Sequence, residues 1–368
     1  MKLYQHIISA TLMLMAAVFS AQASDTEKKL TFAYDADFEM KFDNREYYRS
    51  SFSRSMTIFA GRLTPSVGIS FNQDESTEHK VMIGADIMKD FGSPRTDLLN
   101  EVIFHYTLDK SLGNTDLRFS AGVMPRSRMF DKYSEAFISD SLAFYDNNIS
   151  GLLVQLRRPS AEFEIGCDWL GQYGRDSRER FMIFSSGEAR LSPIISLGYA
   201  GVMYHFANSH TQIGVVDNIL LNPWIGFDFA HKANMQALSI RLGYLQGMQH
   251  DRAKYEFFEY PCGLEVNAEV RKWNFGVQNK FFYGTDMMPY YNTVDNTGEK
   301  YGSRLYFGDP FYRIHDDGAT GTGVYDRVQL FYEPSFTKWL KIRIAAMFHF
   351  HGSSYSGCSQ QVILKFNL

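Results

Sequence analysis

Leu30-Thr31-Phe32-Ala33-Tyr34-Asp35-Ala36-Asp37-Phe38-Glu39-Met40-Lys41-Phe42 alternates strictly, with apolar residues at every even position. The odd positions end in four successive charges, Asp35, Asp37, Glu39 and Lys41. A β-strand sends alternate side chains to opposite faces, so this segment has one oily face and one charged face. Four neighbouring charges cannot enter a dry core without heavy desolvation cost, so their face needs water. The pattern returns in Val362, Leu364, Phe366 and Leu368 at the end of the chain. Lipid outside and a wet lumen inside satisfy both faces, which predicts a transmembrane β-barrel.

The flanking sequence fits that reading. Lys2, an apolar run from Ile7 to Phe19 and Ala21-Gln22-Ala23 have the layout of a cleaved signal peptide over residues 1–23. Residues 24–368 then form a single barrel domain, since no Pro-, Gly- or Ser-rich linker divides them. The apolar run is too short for a spanning helix, which needs about 20 residues, and no longer one follows. A formal net charge of −4 gives no footprint for nucleic acid, so no such partner is expected. Three cysteines, Cys167, Cys262 and Cys358, are too few and too odd in number for a disulfide framework. Two packed thiols are expected at Cys262 and Cys358, with a bridge between them as the alternative.

Segments of alternating pattern bounded by turn residues number about sixteen, with fourteen and eighteen as the neighbouring even options. The fold class is therefore all-β, an antiparallel up-and-down transmembrane barrel. The weaker segments are 149–157, 180–186, 195–206 and 224–230. With the N-terminus periplasmic, the turns between strands are short, Lys272 alone forming one of them. The external connections 125–148, 171–179, 207–223, 247–262 and 285–324 are long.

The closing strand Gln361–Leu368, with Phe366 two places from the terminus, resembles the last strand of Gram-negative outer-membrane proteins. Length, topology and ending together resemble the general porins. That resemblance implies passive diffusion of small hydrophilic solutes, assembly by the barrel machinery, a setting of outer-membrane lipid and lipopolysaccharide, and room for homotrimers. It also implies that the third external loop, 125–148, folds inward and constricts the lumen. Arg126, Arg128, Asp131, Lys132, Glu135 and Asp140 are then the constriction residues. Aromatics in that loop, such as Phe130 and Phe137, make an inward fold physically sensible, because they would be costly in water.

Acids and bases on the lumen phase are nearly balanced, so no ion selectivity is expected. The acids Asp35, Asp37 and Glu39 lie on the strand that closes against Lys341, Arg343 and Lys365, which predicts an ion-paired seam. Barrel hydrolases of lipid or peptide need His, Ser and an acid together at the rim. His349 and His351 share a face and run into Ser353 and Ser354, and His315-Asp316-Asp317 sits in the longest loop. Neither forms a full motif, so polar lining is expected, with no catalytic residue and no enzyme activity. An enzyme or a structural, secretion-partner barrel is the alternative. Asp295-Asn296-Thr297-Gly298-Glu299 lacks the spacing of a calcium loop, so neither metal nor cofactor is expected.

Overall fold

A computed structural model describes residues 30–367, except 49, 51, 295–297, 299, 315–320 and 335. The signal segment 1–23, Leu368, His315-Asp316-Asp317 and all of 295–299 but Gly298 lie outside the described residues. The first eight strands are β1 (Leu30–Glu46), β2 (Met56–Asp74), β3 (Thr77–Asp90), β4 (Leu99–Leu112), β5 (Thr115–Pro125), β6 (Asn148–Arg158), β7 (Ala161–Gly171) and β8 (Arg180–Arg190). The rest are β9 (Ile195–Phe206), β10 (Val216–Asp228), β11 (Ala237–Asp251), β12 (Cys262–Lys272), β13 (Phe275–Thr285), β14 (Thr322–Tyr332), β15 (Leu340–His351) and β16 (Ser354–Asn367). A short helix, α1 (Asp140–Tyr145), lies between β5 and β6.

Every strand pairs antiparallel with its sequence neighbours, and β1 pairs with β16 to close the barrel. Closure leaves no edge strand, as a bilayer demands of any spanning sheet. The alternation in β1 sets its two faces. Phe32 and Tyr34 are 71% and 67% exposed on the outer wall, while Lys41 and Asp43 are buried in the lumen. At the seam Phe38 lies opposite Phe366 and Phe42 opposite Val362, so the apolar phases of both strands share the outer face.

Two local expectations are corrected. The tight turn after β12 is Trp273-Asn274, not Lys272, and both residues take left-handed φ angles of 53° and 68°, as a two-residue hairpin requires. Strand β10 begins at Val216 and β11 runs to Asp251, so much of 207–223 and 247–262 is wall instead of loop. As the reading of packed thiols expects, Cys167, Cys262 and Cys358 are all free, and Cys262 and Cys358 lie on strands that are not neighbours.

The lumen is not wet throughout. Its periplasmic half carries charge, but at the external end inward residues such as Met182, Tyr204 and Phe282 pack with two inserted loops. Loop 126–147 contributes Phe137, and loop 286–321 contributes Leu305, Phe311 and Tyr312, all at most 2% exposed. The loops hold each other: Ser139 N donates to Phe307 O at 2.8 Å, and Asp309 N to Glu135 O at 2.7 Å. Burying each large apolar side chain there contributes roughly 2 kcal/mol. A core of this kind belongs to a plugged barrel.

Candidate functional site on the outer wall

The lumen residues named from the sequence are mostly anchors. Arg126 is buried, donating to Asp146 O at 2.9 Å, Asn148 O at 2.8 Å and Asp168 Oδ2 at 2.7 Å. Arg128 donates to Thr107 Oγ1 at 3.0 Å. Lys132 pairs with Glu162 at 3.0 Å and with Glu188, whereas Asp131 is exposed. Glu135 crosses the lumen to Lys280 on β13 and to Arg327 on β14, the latter at 2.6 Å. Burial alone would raise the Glu135 carboxyl, but the two cations hold it well below the usual carboxylate range. Asp140 opens α1, whose first turn is capped by Ser139 Oγ accepting from Leu142 N.

At the seam Glu39 and Lys365 form a 3.1 Å ion pair. The rest of the expected pairing is corrected. Asp37 accepts from Asn367, Arg343 binds Glu333 at 2.8 Å, Lys341 is exposed, and Asp35 has no ion pair among the described residues. Cross-strand neighbours won over more distant charges because a strand side chain reaches only its own row and the next.

His349 and His351 do share the lumen face, yet both are locked. His349 Nδ1 meets Tyr325 OH at 3.0 Å, and its ring stacks on Phe311 at 4.2 Å. His351 Nε2 donates to Phe311 O at 2.9 Å, its Nδ1 meets Ser356 Oγ at 3.1 Å, and its ring lies 4.4 Å from that of Phe52.

A different constellation sits outside. On β9 and β10 the lipid-facing phase is apolar until the last loop-side position, where it becomes His205 and Asp217, and on β11 it is apolar but for Gln246 until it reaches His250. The registers place His205 opposite Asp217 and Asp217 opposite His250. Extended to the left, the same row continues through Phe181 opposite His205 and Trp169 opposite Phe181. To the right, the Phe258 ring lies 4.5 Å from that of His250. This part of the outer wall thus carries a polar row with aromatic flanks.

Within the row His205 Nδ1 lies 3.0 Å from Asp217 Oδ1, and the two side chains are 22% and 18% exposed. Arg252 Nε donates to Asp217 Oδ2 at 2.7 Å. The carboxylate therefore fixes the imidazole with its proton on Nδ1 and leaves Nε2 as the basic nitrogen. No partner occupies Nε2 among the described residues. His250 differs, because its Nε2 donates to Tyr255 O at 2.9 Å. A histidine oriented by a carboxylate, with its other nitrogen open, can take a proton from water.

Depth matters as much as geometry. From Ile219 to Phe227 the outward side chains of β10 are apolar. Eight residues at about 3.3 Å span about 26 Å of strand, or about 20 Å of depth at a tilt of about 40°. Asp217 is the next outward position above that belt, where acyl chains give way to headgroups. The sequence reading missed this row because two of its strands were cut short. Its signal was polar residues in the lipid-facing phase of strand ends.

No curated protein matches the chain. Among solved structures, the loop-deleted OmpT outer-membrane protein of Vibrio cholerae is similar at 10% identity and a TM-score of 0.55, over 92% of this chain and 99% of that one. OprD of Pseudomonas aeruginosa is similar at 10% identity and a TM-score of 0.48, over 93% and 97%. These likenesses concern the outer-membrane barrel fold. A family model described as lipid A 3'-O-deacylase-type matches residues 23–359. That match overturns two expectations, a porin-like channel for passive diffusion and the absence of enzyme activity; the packed external lumen is the physical reason a channel reading fails. The chain belongs to the lipid A 3'-O-deacylase-type family of outer-membrane barrels.

Proposed function

We propose that the protein hydrolyses an ester-linked acyl chain of lipid A from within the outer leaflet, with His205 as the general base. Residues 1–23 serve as its export signal and the rest as one barrel domain. The observation that carries the reading is the His205–Asp217 pair in the lipid-facing phase, directly above the apolar belt. A lipid held by several chains does not need to leave the leaflet to reach such a site. Its ester linkages lie where the belt ends.

The chemistry follows from the geometry. His205 Nε2 takes a proton from water as the water oxygen attacks the acyl carbonyl carbon. Charge develops on the carbonyl oxygen, and the Arg252 guanidinium, held beside Asp217, is the cation assigned to stabilise it. Asp217 keeps the ring oriented and stabilises the imidazolium. The ester C–O bond then breaks, and His205 returns its proton to the leaving oxygen, giving a free fatty acid and a hydroxyl. Trp169, 47% exposed, and Phe258, 44% exposed, flank the row at the depth where amphipathic rings settle.

The test is fatty-acid release from lipid A in mixed micelles, read by mass spectrometry. His205→Ala should lower the rate by about a hundred-fold or more, the usual contribution of a general base. His351→Ala should leave it unchanged, because that ring faces the lumen. Full activity in His205→Ala overturns the assignment.

A further inference from the structure

A cavity of about 290 Å³ lies inside the lumen between β1, α1 and the inserted segment 306–311. It is distinct from the outer-wall row, which faces the opposite side of the sheet. Its size is at the small end of ligand cavities, about 300–1,000 Å³. Tyr47, Phe307 and Phe311 give it flat apolar surfaces, and Asp43, Asp309 and His349 give it polar ones.

Two of those polar groups are unfinished. Asp43 is fully buried; its Oδ2 is taken by Arg45 at 2.8 Å and by Gln361 Nε2 at 3.1 Å, but its Oδ1 has no partner. His349 is 2% exposed, and its Nε2 is likewise unpartnered. Buried polar atoms without partners are rare and costly in native proteins, so each asks for an occupant. Asp43 Oδ1 needs a donor. With Tyr325 OH on Nδ1, His349 Nε2 takes whichever role the shared proton leaves it, and a hydroxyl supplies either one.

Charge narrows the class. Arg45 is committed to Asp43 and Arg327 to Glu135, whereas Asp140 and Asp309 line the cavity with no ion pair among the described residues. Burial first, and the neighbouring Glu135 second, push the Asp309 carboxyl up to about 6. With both arginines committed and two acids uncommitted, the lining disfavours an anion. A ring with an apolar face, several hydroxyls and a positive or neutral substituent fits the aromatic walls and the acids together.

We propose that this lumenal cavity is a binding site for a hexosamine-type sugar, free or as part of a surface glycan. The test uses D-glucosamine, D-glucose and a glucosamine-terminated oligosaccharide as probes in saturation-transfer NMR with the full barrel in detergent micelles. Glucosamine should bind the wild-type protein and bind Asp43→Asn and His349→Ala about ten-fold more weakly, the usual loss for one charged hydrogen bond. Asp217→Asn, on the outer wall, should retain it, and an unchanged circular-dichroism spectrum and thermal unfolding of the two lumen variants separate a lost site from a lost fold. Stronger binding of the oligosaccharide points to a glycan source and equal binding to free sugar, and either supports the site. No binding of any probe to wild type, or equal binding by the two lumen variants, overturns it.

Discussion

Histidines occur in two settings at the external end of this barrel, and they are built for different work. His349 and His351 face the lumen, stacked among Phe311, Tyr325 and Phe52, with their nitrogens facing fixed protein groups or buried. His205 faces the bilayer, oriented by one carboxylate and open at Nε2. The two lumen rings cement a plug, while the outer ring is held but left reactive. Residue type therefore says little here; the face of the sheet decides. A membrane enzyme whose substrate stays in the leaflet benefits from chemistry on its outer wall, and the lumen is then free to be packed.

The strongest way to break that contrast is to remove the acid from each side. Asp217→Asn should cost at least ten-fold in deacylation, because an amide orients the ring without stabilising the imidazolium; fatty-acid release measures it. Glu135→Gln on the lumen side should leave the outer-wall chemistry in place but loosen the plug. It strands Lys280 and the buried Arg327, and breaking such a pair costs roughly 3–5 kcal/mol. Protease nicking of loops 126–147 and 286–321 would report it; unchanged protection would show that apolar packing alone holds the loops.

A smaller effect sharpens the same comparison through pH. Asp309 carries a folded-state pKa raised to about 6 from 3.8. The folded loop thus holds a proton that the unfolded chain releases. Stability from this group is full below about 3.8 and falls as pH rises to about 6. Asp309→Asn should therefore stabilise the loops at pH 7.5, by no more than about 3 kcal/mol, and not at pH 4. Thermal unfolding of both forms at the two pH values checks the sign. Least of all, Lys365→Ala at the seam should cost under about 1 kcal/mol, since its pair with Glu39 is half exposed.

The barrel was legible in the sequence because a period of two survives in every strand, from Phe32 and Phe38 to Phe366. The inward loop was legible too, since Phe130 and Phe137 have no better place than the lumen. What failed was the extent of β10. The sequence reads as strand only after Pro223, yet β10 keeps one register with β11 across Asn222-Pro223, the proline merely omitting its ladder bond. Cutting the strand there put Asp217 into a loop and hid its alignment with His205 and His250. The lumen cavity was beyond reach for another reason. Its acids Asp43 and Asp309 meet through strand closure and loop insertion, which no local pattern encodes.

The central claim is that His205 acts as a base toward the leaflet. Chemical rescue tests it most directly: lipid A deacylation by His205→Ala is measured with and without added imidazole. The account predicts a nearly inactive variant whose fatty-acid release rises with imidazole concentration. A variant as active as the wild type, or one that imidazole does not restore while its barrel remains folded, would contradict it.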